Sequence, residues 1–444
     1  MATKALALLG RQKIGFVQMV EGTSNILGGL GSGLTWVGGN TFLAVPDRGP
    51  NATAYNPLVD DTTSYIARFQ TLTLNLKATA NGTLPYTLTP TLTGTTLLSS
   101  PTALTYGSGA GLNLPSGAPT QNTAGVNYFT GRSDNFDATK TSTNPNNGRL
   151  DPEAIRVSRD GKSVFISDEY GPYVYQFDRA TGQRIKSFAL PSNLAISNLS
   201  AQGAVEIAGN ATGRVTNKGM EGLAITPDGS MLIGIMQAPL AQDKNKMVRI
   251  VTIDVATGVT HEYAYQLTSG SGVSEIVAIN NHEFLVDERD GKGLGDGTAA
   301  AIKQLFRINL AGATDVSGLT GSAADQTALK NAAVSKTMVL DVAAILNANG
   351  FAFTAIPSKI EGLAFGEDIV INGITEHTLY VANDNDFVPA TAGANRFFVF
   401  AVSDADLGAT FQQQQIPEPE SLVLVLLGLG AVGFVKRRAT RPAL

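Results

Sequence analysis

Glu153-Ala-Ile-Arg-Val157, Asp160-Gly161, Ser163-Val-Phe-Ile-Ser167 and Asp168-Glu169-Tyr170 form the stretch on which the fold is read. Two short runs rich in Ile, Val and Phe flank an Asp-Gly pair, which supplies the positive φ that a tight hairpin turn requires. The pattern returns at Glu221-Gly-Leu-Ala-Ile225, Pro227-Asp228-Gly229 and Met231-Leu-Ile-Gly-Ile235. A third copy starts at Glu275-Ile-Val-Ala-Ile279, turns at Asn280-Asn281 and reaches Asp287-Glu288-Arg289. A fourth runs from Glu361-Gly-Leu-Ala-Phe365 to Leu379-Tyr-Val-Ala382 and Asn383-Asp384-Asn385-Asp386. An early copy lacks the glutamate: Gly33-Leu-Thr-Trp-Val37, Gly39-Asn40, Phe42-Leu-Ala-Val45 and Pro46-Asp47-Arg48. Further strands end in the near-identical turns Asp178-Arg-Ala-Thr-Gly182 and Asp254-Val-Ala-Thr-Gly258.

Four strands per unit, recurring at intervals of about 50 to 90 residues, predict an all-β chain folded as a β-propeller. Five units are visible, and residues 86–104 are read as strands of a sixth, so six or seven four-stranded blades are expected. The propeller is assigned to residues 27–405, after an N-terminal segment 1–26 and before a linker 406–415 and a terminal segment 416–444. Hydrophobic residues at 43% allow a large core, and 48 glycines with 19 prolines suit a turn-rich fold rather than long helices. Residues 107–148, rich in Thr, Asn, Ser and Gly, read as a long loop, either a functional cover or a disordered insertion.

Composition also excludes chemistry. The chain has no cysteine, which removes disulfides, thiolate catalysis and cysteine-ligated metals. Its three histidines (His261, His282, His377) are not spaced as metal ligands. A net charge of −5 without a basic stripe argues against a nucleic-acid partner. No G-x-S-x-G elbow, P-loop, H-E-x-x-H or full EF-hand pattern occurs.

In a propeller the innermost strands all begin at one end of the axial channel, so equivalent repeat positions converge. Glu153, Glu221, Glu275 and Glu361 are therefore expected to ring one region. Crowded carboxylates need a cation or shared protons, and a hard oxygen-ligated ion, Ca²⁺, fits best. The alternative is that each glutamate ties adjacent blades through backbone N–H groups. A hairpin reverses direction, so Asp47, Asp168, Glu169, Asp287, Glu288, Asn383, Asp384, Asn385 and Asp386 are expected on the same face, and Arg149, Lys218 and Lys359 stand ahead of Glu153, Glu221 and Glu361. The metal set is Glu153, Glu221, Glu275, Glu361, Asp47, Asp287 and Asp384, with Glu153, Glu221, Asp168 and Glu169 as catalytic candidates. Arg48, Arg289 and Lys218 would orient phosphate oxygens and Tyr170 would face a leaving oxygen, or these groups balance charge and cap blades.

Pro417-Glu418-Pro419 opens the C-terminal segment, followed by an apolar run at 422–435 and Lys436-Arg437-Arg438. The run is 14 residues, shorter than the roughly 20 that cross a bilayer, yet its cationic close has the form of a positive-inside anchor. The order of parts resembles the PEP-type sorting signal of Gram-negative bacteria, which an exosortase recognises. The resemblance implies an apolar sorting helix, transient membrane anchoring and a cell-surface or extracellular destination. Residues 5–9 are the only apolar stretch near Met1, shorter than the core of a secretory signal; export would use a signal outside this frame or another route.

Asp47-Arg48-Gly49, Asp151-Pro-Glu153, Ser167-Asp-Glu-Tyr-Gly-Pro172, Met220-Glu-Gly-Leu223 and Ile360-Glu-Gly-Leu363 together resemble the bacterial family with esterase-like activity of phytase, over residues 27–403. The resemblance implies an exported propeller that hydrolyses a small phosphoester. Two other outcomes stay open: a surface propeller that binds glycan or matrix with structural Ca²⁺, and a lactonase-like hydrolase with axial carboxylates.

Overall fold

The computed structural model describes residues 7–14, 19–21, 25–26, 28–50, 64–79, 84–110 and 114–417. Five antiparallel blades surround one axis. From the axis outward, blade 1 is Gly33–Trp36, Thr41–Val45, Arg68–Ala78 and Tyr86–Leu97. Blade 2 is Pro152–Val157, Ser163–Asp168, Tyr173–Asp178 and Arg184–Ala189. Blade 3 is Met220–Ile225, Met231–Met236, Met247–Asp254 and Thr260–Gln266. Blade 4 is Gly272–Ala278, Glu283–Arg289, Lys303–Asn309 and Lys336–Asp341. Blade 5 takes Ile360–Phe365, Ile374–Asn383 and Asn395–Val402 from the end of the chain and Ala7–Ile14 from its start. The last pairing, with Ala7 opposite Ala401 and Ile14 opposite Asn395, closes the ring.

Blade architecture follows from burial. The inner strands lie between neighbouring blades, so Pro152–Val157 and Ser163–Asp168 are buried along their whole length. The rim strand Tyr86–Leu97 alternates, exposing Thr87, Thr89, Thr91 and Thr93. Turns behave as their residues dictate: Gly161 and Gly229 sit at φ 70° and 72°. Asp178 accepts Thr181 N and Oγ1, and Asp254 accepts Thr257 N and Oγ1. Between blades the faces interlock, as where Leu34, Phe42 and Leu72 of blade 1 join Tyr380, Phe397 and Val399 of blade 5.

The expected six or seven blades are corrected to five. Tyr86–Leu97 is the rim strand of blade 1, and residues 98–149 contribute no blade among the described residues. Part of that stretch packs beside blade 2: the Tyr170 hydroxyl donates to the Gly131 carbonyl and Ser142 Oγ to the Gly171 carbonyl. The membrane anchor is corrected too. Among the described residues no helix is long and apolar enough to cross a membrane, and the apolar run 422–435 assigned to a sorting helix lies outside them.

Five-fold closure brings the inner strands very close. A Cβ on Gly222 would lie 2.8 Å from Ile276 N, and one on Gly362 2.9 Å from the Gly31 carbonyl oxygen. Gly222→Val is expected to destabilise the fold by about 1–3 kcal/mol through overpacking, read by denaturant unfolding. An unchanged unfolding midpoint would show that these strands have room to part.

Candidate functional site

Backbone register defines which residues are equivalent at the axis. Each inner strand ends in an N–H that bonds back across its hairpin: Val37, Ser158, Thr226, Ile279 and Gly366. Counting five residues back from each gives Ser32, Glu153, Glu221, Ser274 and Glu361. In blades 2 to 5 the pairing slips at this position, between Pro152 and Ile155, Met220 and Gly222, Val273 and Glu275, and Ile360 and Leu363. Such a bulge re-aims one side chain away from the sheet's alternation. The upper mouth is thus ringed by three glutamates and two serines.

Glu275 is displaced from the expected ring, because it stands one residue nearer its turn than Glu221 does. It occupies the close-approach position of Gly33, Ala154, Gly222 and Gly362. Its carboxylate accepts Leu223 N and Ile276 N and pairs with Arg156 at 2.9 Å. Arg156, which the sequence reading passed over, also donates to the Leu34 and Ile276 carbonyls of blades 1 and 4. Its equivalents are Thr35, Ala224, Val277 and Ala364, small enough to leave the channel to one guanidinium. The pair plugs the axis, and burial pushes Glu275 up to about 7 even beside Arg156. Asp287 is one residue out of register as well. It is fully buried, with neither carboxylate oxygen hydrogen-bonded among the described residues.

Two carboxylate groups form at the mouth. Asp151, Glu153 and Glu169 bring oxygens within 4.8 Å of one another, as do Asp47, Asp384 and Asp386. Arg48 pairs with Asp151 at 2.9 Å. Lys359 pairs with Asp384 at 3.2 Å and also with Asp386. Arg289 pairs with Glu361 and stands 3.8 Å from Glu221 Oε1, the same oxygen that accepts Gln237 Nε2 at 2.8 Å. Asp151 and Gln237 complete the constellation beyond the residues singled out above, alongside Asp386 and Lys359; the Asp151-Pro-Glu153 motif was the sequence signal for Asp151.

Electrostatics at this mouth are unfavourable without compensation. Burial raises Asp47 to about 7 and Glu169 to about 8, each aided by the neighbouring Asp151 charge. Burial, then the Glu221 charge, holds Glu153 well above the usual carboxylate range, and burial with Glu169 and Glu361 does the same to Glu221. Asp386 goes the other way: burial would raise it, but Lys359 holds it low. Glu221 Oε2, Ser32 Oγ and Ser274 Oγ are buried with no hydrogen-bond partner among the described residues. Oxygen donors of this kind suit a hard cation, so the residues fit a metal ion.

Other candidates lie apart from the mouth. Asp168 faces inward and accepts Asp151 N and Tyr170 N, and burial raises it to about 7. The Tyr170 hydroxyl is spent on the Gly131 carbonyl. Glu288 binds Tyr265, Ser271 and Lys336 toward the outside of blade 4. Lys218 is exposed and lines a cleft of about 420 Å³ together with Gln237, Lys246 and Arg289.

A family model described as "Esterase-like activity of phytase" matches residues 25–387. The chain belongs to this phytase-like family. A second match, the PEP-CTERM protein-sorting motif, covers residues 415–439 of the phytase-like protein and supports export to the cell surface through an exosortase system. An "Uncharacterized secreted protein" of Arthroderma benhamiae is 30% identical over 32% of this chain, which spans about a third (34%) of that relative. Among solved structures, a putative 6-phosphogluconolactonase from Bacteroides uniformis is 13% identical, with 81% of this chain and 82% of that chain covered, at a TM-score of 0.31. The β-propeller domain of Myceliophteria thermophila Cps50 (Swd1) is 10% identical, over 52% of this chain and 50% of that one, at 0.23. Likenesses this distant say nothing about activity.

A carboxyl whose native pKa is raised keeps a proton that the unfolded chain has released, so stability falls as pH climbs from the unfolded value through the native one. With Asp47, Asp168 and Glu169 at about 7, 7 and 8, the melting temperature in chelator is expected to fall between about pH 5 and 8. Millimolar Ca²⁺ at the upper end should restore it. A flat profile in chelator would contradict the crowding described here.

Proposed function

We propose that this phytase-like protein is a metal-assisted phosphoester hydrolase whose site is the upper mouth. The observation that carries the reading is the gathering of Asp47, Asp151, Glu153, Glu169, Glu221, Glu361, Asp384 and Asp386 around fewer cations among the described residues, Arg48, Arg289 and Lys359 with Arg214 nearby. That excess of buried negative charge calls for a cation, and a phosphoester is a ligand that would share it. Glu153, Glu169, Asp151, Asp47, Asp384 and Asp386 would hold Ca²⁺. Bound there, Ca²⁺ supplies positive charge against which a phosphate oxygen is neutralised and water becomes more acidic.

The chain's own groups divide the remaining work. Arg289 lies between Glu221 and Glu361 and also faces the cleft, so its guanidinium is placed to orient phosphate oxygens entering from that side. Arg48 does the same from blade 1, while Lys218 lends charge at the cleft's rim. Glu221, which burial and neighbouring carboxylates hold well above the usual carboxylate range, suits proton transfer to or from the ester, while Glu153 would serve beside it as a ligand of the ion. Gln237 fixes the Glu221 carboxylate. Asp168 supports this group by accepting Asp151 N, and with export under the PEP-CTERM motif the substrate would be met outside the cell.

One observation favours a second reading, a binding propeller with structural Ca²⁺: Arg48, Arg289 and Lys359 all pair with mouth carboxylates. Hydrolysis of p-nitrophenyl phosphate and phytate, with EDTA and with Ca²⁺, separates the two. The hydrolase requires calcium-dependent phosphate release that drops by about 100-fold or more in Glu221→Gln, as for a lost acid–base group. Glu275→Gln, in the axial plug, should lower thermal stability and leave most of the activity. No turnover of either ester, with a calcium-dependent rise in melting temperature, would leave the binding propeller.

A further inference from the structure

The stretch read from sequence as a linker is part of the propeller. After the short helix Asp404–Leu407, Phe411 N donates to Asp404 Oδ1, and the Phe411 ring packs 4.4 Å from both Phe365 and His377 of blade 5. The Thr410 carbonyl accepts Asn280 Nδ2 and Gln412 N donates to the Ile279 carbonyl, both on blade 4. Gln414 Nε2 then donates to the Val157 carbonyl of blade 2. Gln415, Ile416 and Pro417 reach the Arg159-Asp160 turn of that same blade.

Blades 4 and 2 are not neighbours. A chain bonded to the inner strand of one and then the other must cross the axis. It does so over the ends of the inner strands farthest from Glu153, Glu221 and Glu361. A cavity of about 50 Å³ remains beneath it, walled by Trp36, Arg156, Ile225, Val277 and Phe365 and closed by residues 411–414. The axial channel is thus stopped twice: by the Arg156–Glu275 pair within and by this crossing segment below.

We propose that residues 409–417 are a strap that seals the lower mouth and delivers the sorting motif at the pole opposite the acidic mouth. The chain thus enters the sorting motif, which begins at residue 415, on the lower face and away from the acidic mouth. The geometry does not depend on the mouth being catalytic, so the strap stands or falls on its own test.

Trp36, the single tryptophan of the chain, reports on the lower mouth. Chains ending after Gly408 and after Pro417 are compared by tryptophan emission, acrylamide quenching, melting temperature and Ca²⁺ binding. The shorter chain should show red-shifted emission, stronger quenching and a melting temperature lower by several degrees, with Ca²⁺ binding kept. Identical emission, quenching and melting in the two chains would overturn the strap. Should the shorter chain not fold, the full chain settles the matter because it has no cysteine of its own. Arg159→Cys with Gln415→Cys should be joined by a short bifunctional thiol reagent in the native protein. Free, independently labelled thiols at both positions would refute a docked strap.

Discussion

Five inner strands meet at the axis at distances where a side chain larger than alanine has almost no space, and the rest of the molecule answers to that closeness. Gly33, Ala154, Gly222 and Gly362 satisfy it by being small. Glu275 satisfies it by turning into the channel, where Arg156 fills the volume left by Thr35, Ala224, Val277 and Ala364. One ion pair then does what a larger propeller would leave to an open, wetter channel. The strap across the lower mouth belongs to the same economy: it covers strand ends that five blades bring within reach of a single short segment.

Closeness also sets the chemistry of the upper mouth. The bulges at the starts of blades 2 to 5 turn Glu153, Glu221, Ser274 and Glu361 toward one another instead of into the sheets. Hairpin ends add Asp47, Glu169 and Asp384 from the same side. Burial there disfavours charge, and like charges compound it, which is why Glu153 and Glu221 favour their protonated forms while Asp386, beside Lys359, does not. A site so built gains from a cation more than an exposed acidic patch would, because the low-dielectric surroundings strengthen each contact.

Much of this was legible in the chain. Strand, Asp-Gly turn and strand announced the hairpins, and the recurring glutamate pointed to the face where Glu153, Glu221 and Glu361 meet. Three things were not legible, each for a physical reason. The blade count was hidden because Tyr86–Leu97, the rim strand of blade 1, looks like the start of a further unit, and because closure through Ala7–Ile14 is a pairing that no local pattern records. The register of blade 4 was hidden because Glu275 sits one residue from the ring position, and in a strand one residue changes the direction a side chain faces. Arg156 was hidden because a lone arginine in a strand looks solvent-facing until the channel it enters is known. Residues 406–415 read as a linker because they are largely polar and lack periodicity, though the backbone and glutamine amides of residues 410–414 are what bind the strand ends.

The central claim is that the buried carboxylates of the upper mouth form a divalent-cation site. The most direct measurement is the metal content and affinity of the purified phytase-like chain, by elemental analysis and calorimetric titration with Ca²⁺. The account predicts bound divalent metal in the native protein, removed by chelator, regained on titration and weakened when Glu153→Gln is combined with Asp384→Asn. A native, fully folded chain that carries no metal and takes up none at millimolar Ca²⁺ would contradict it.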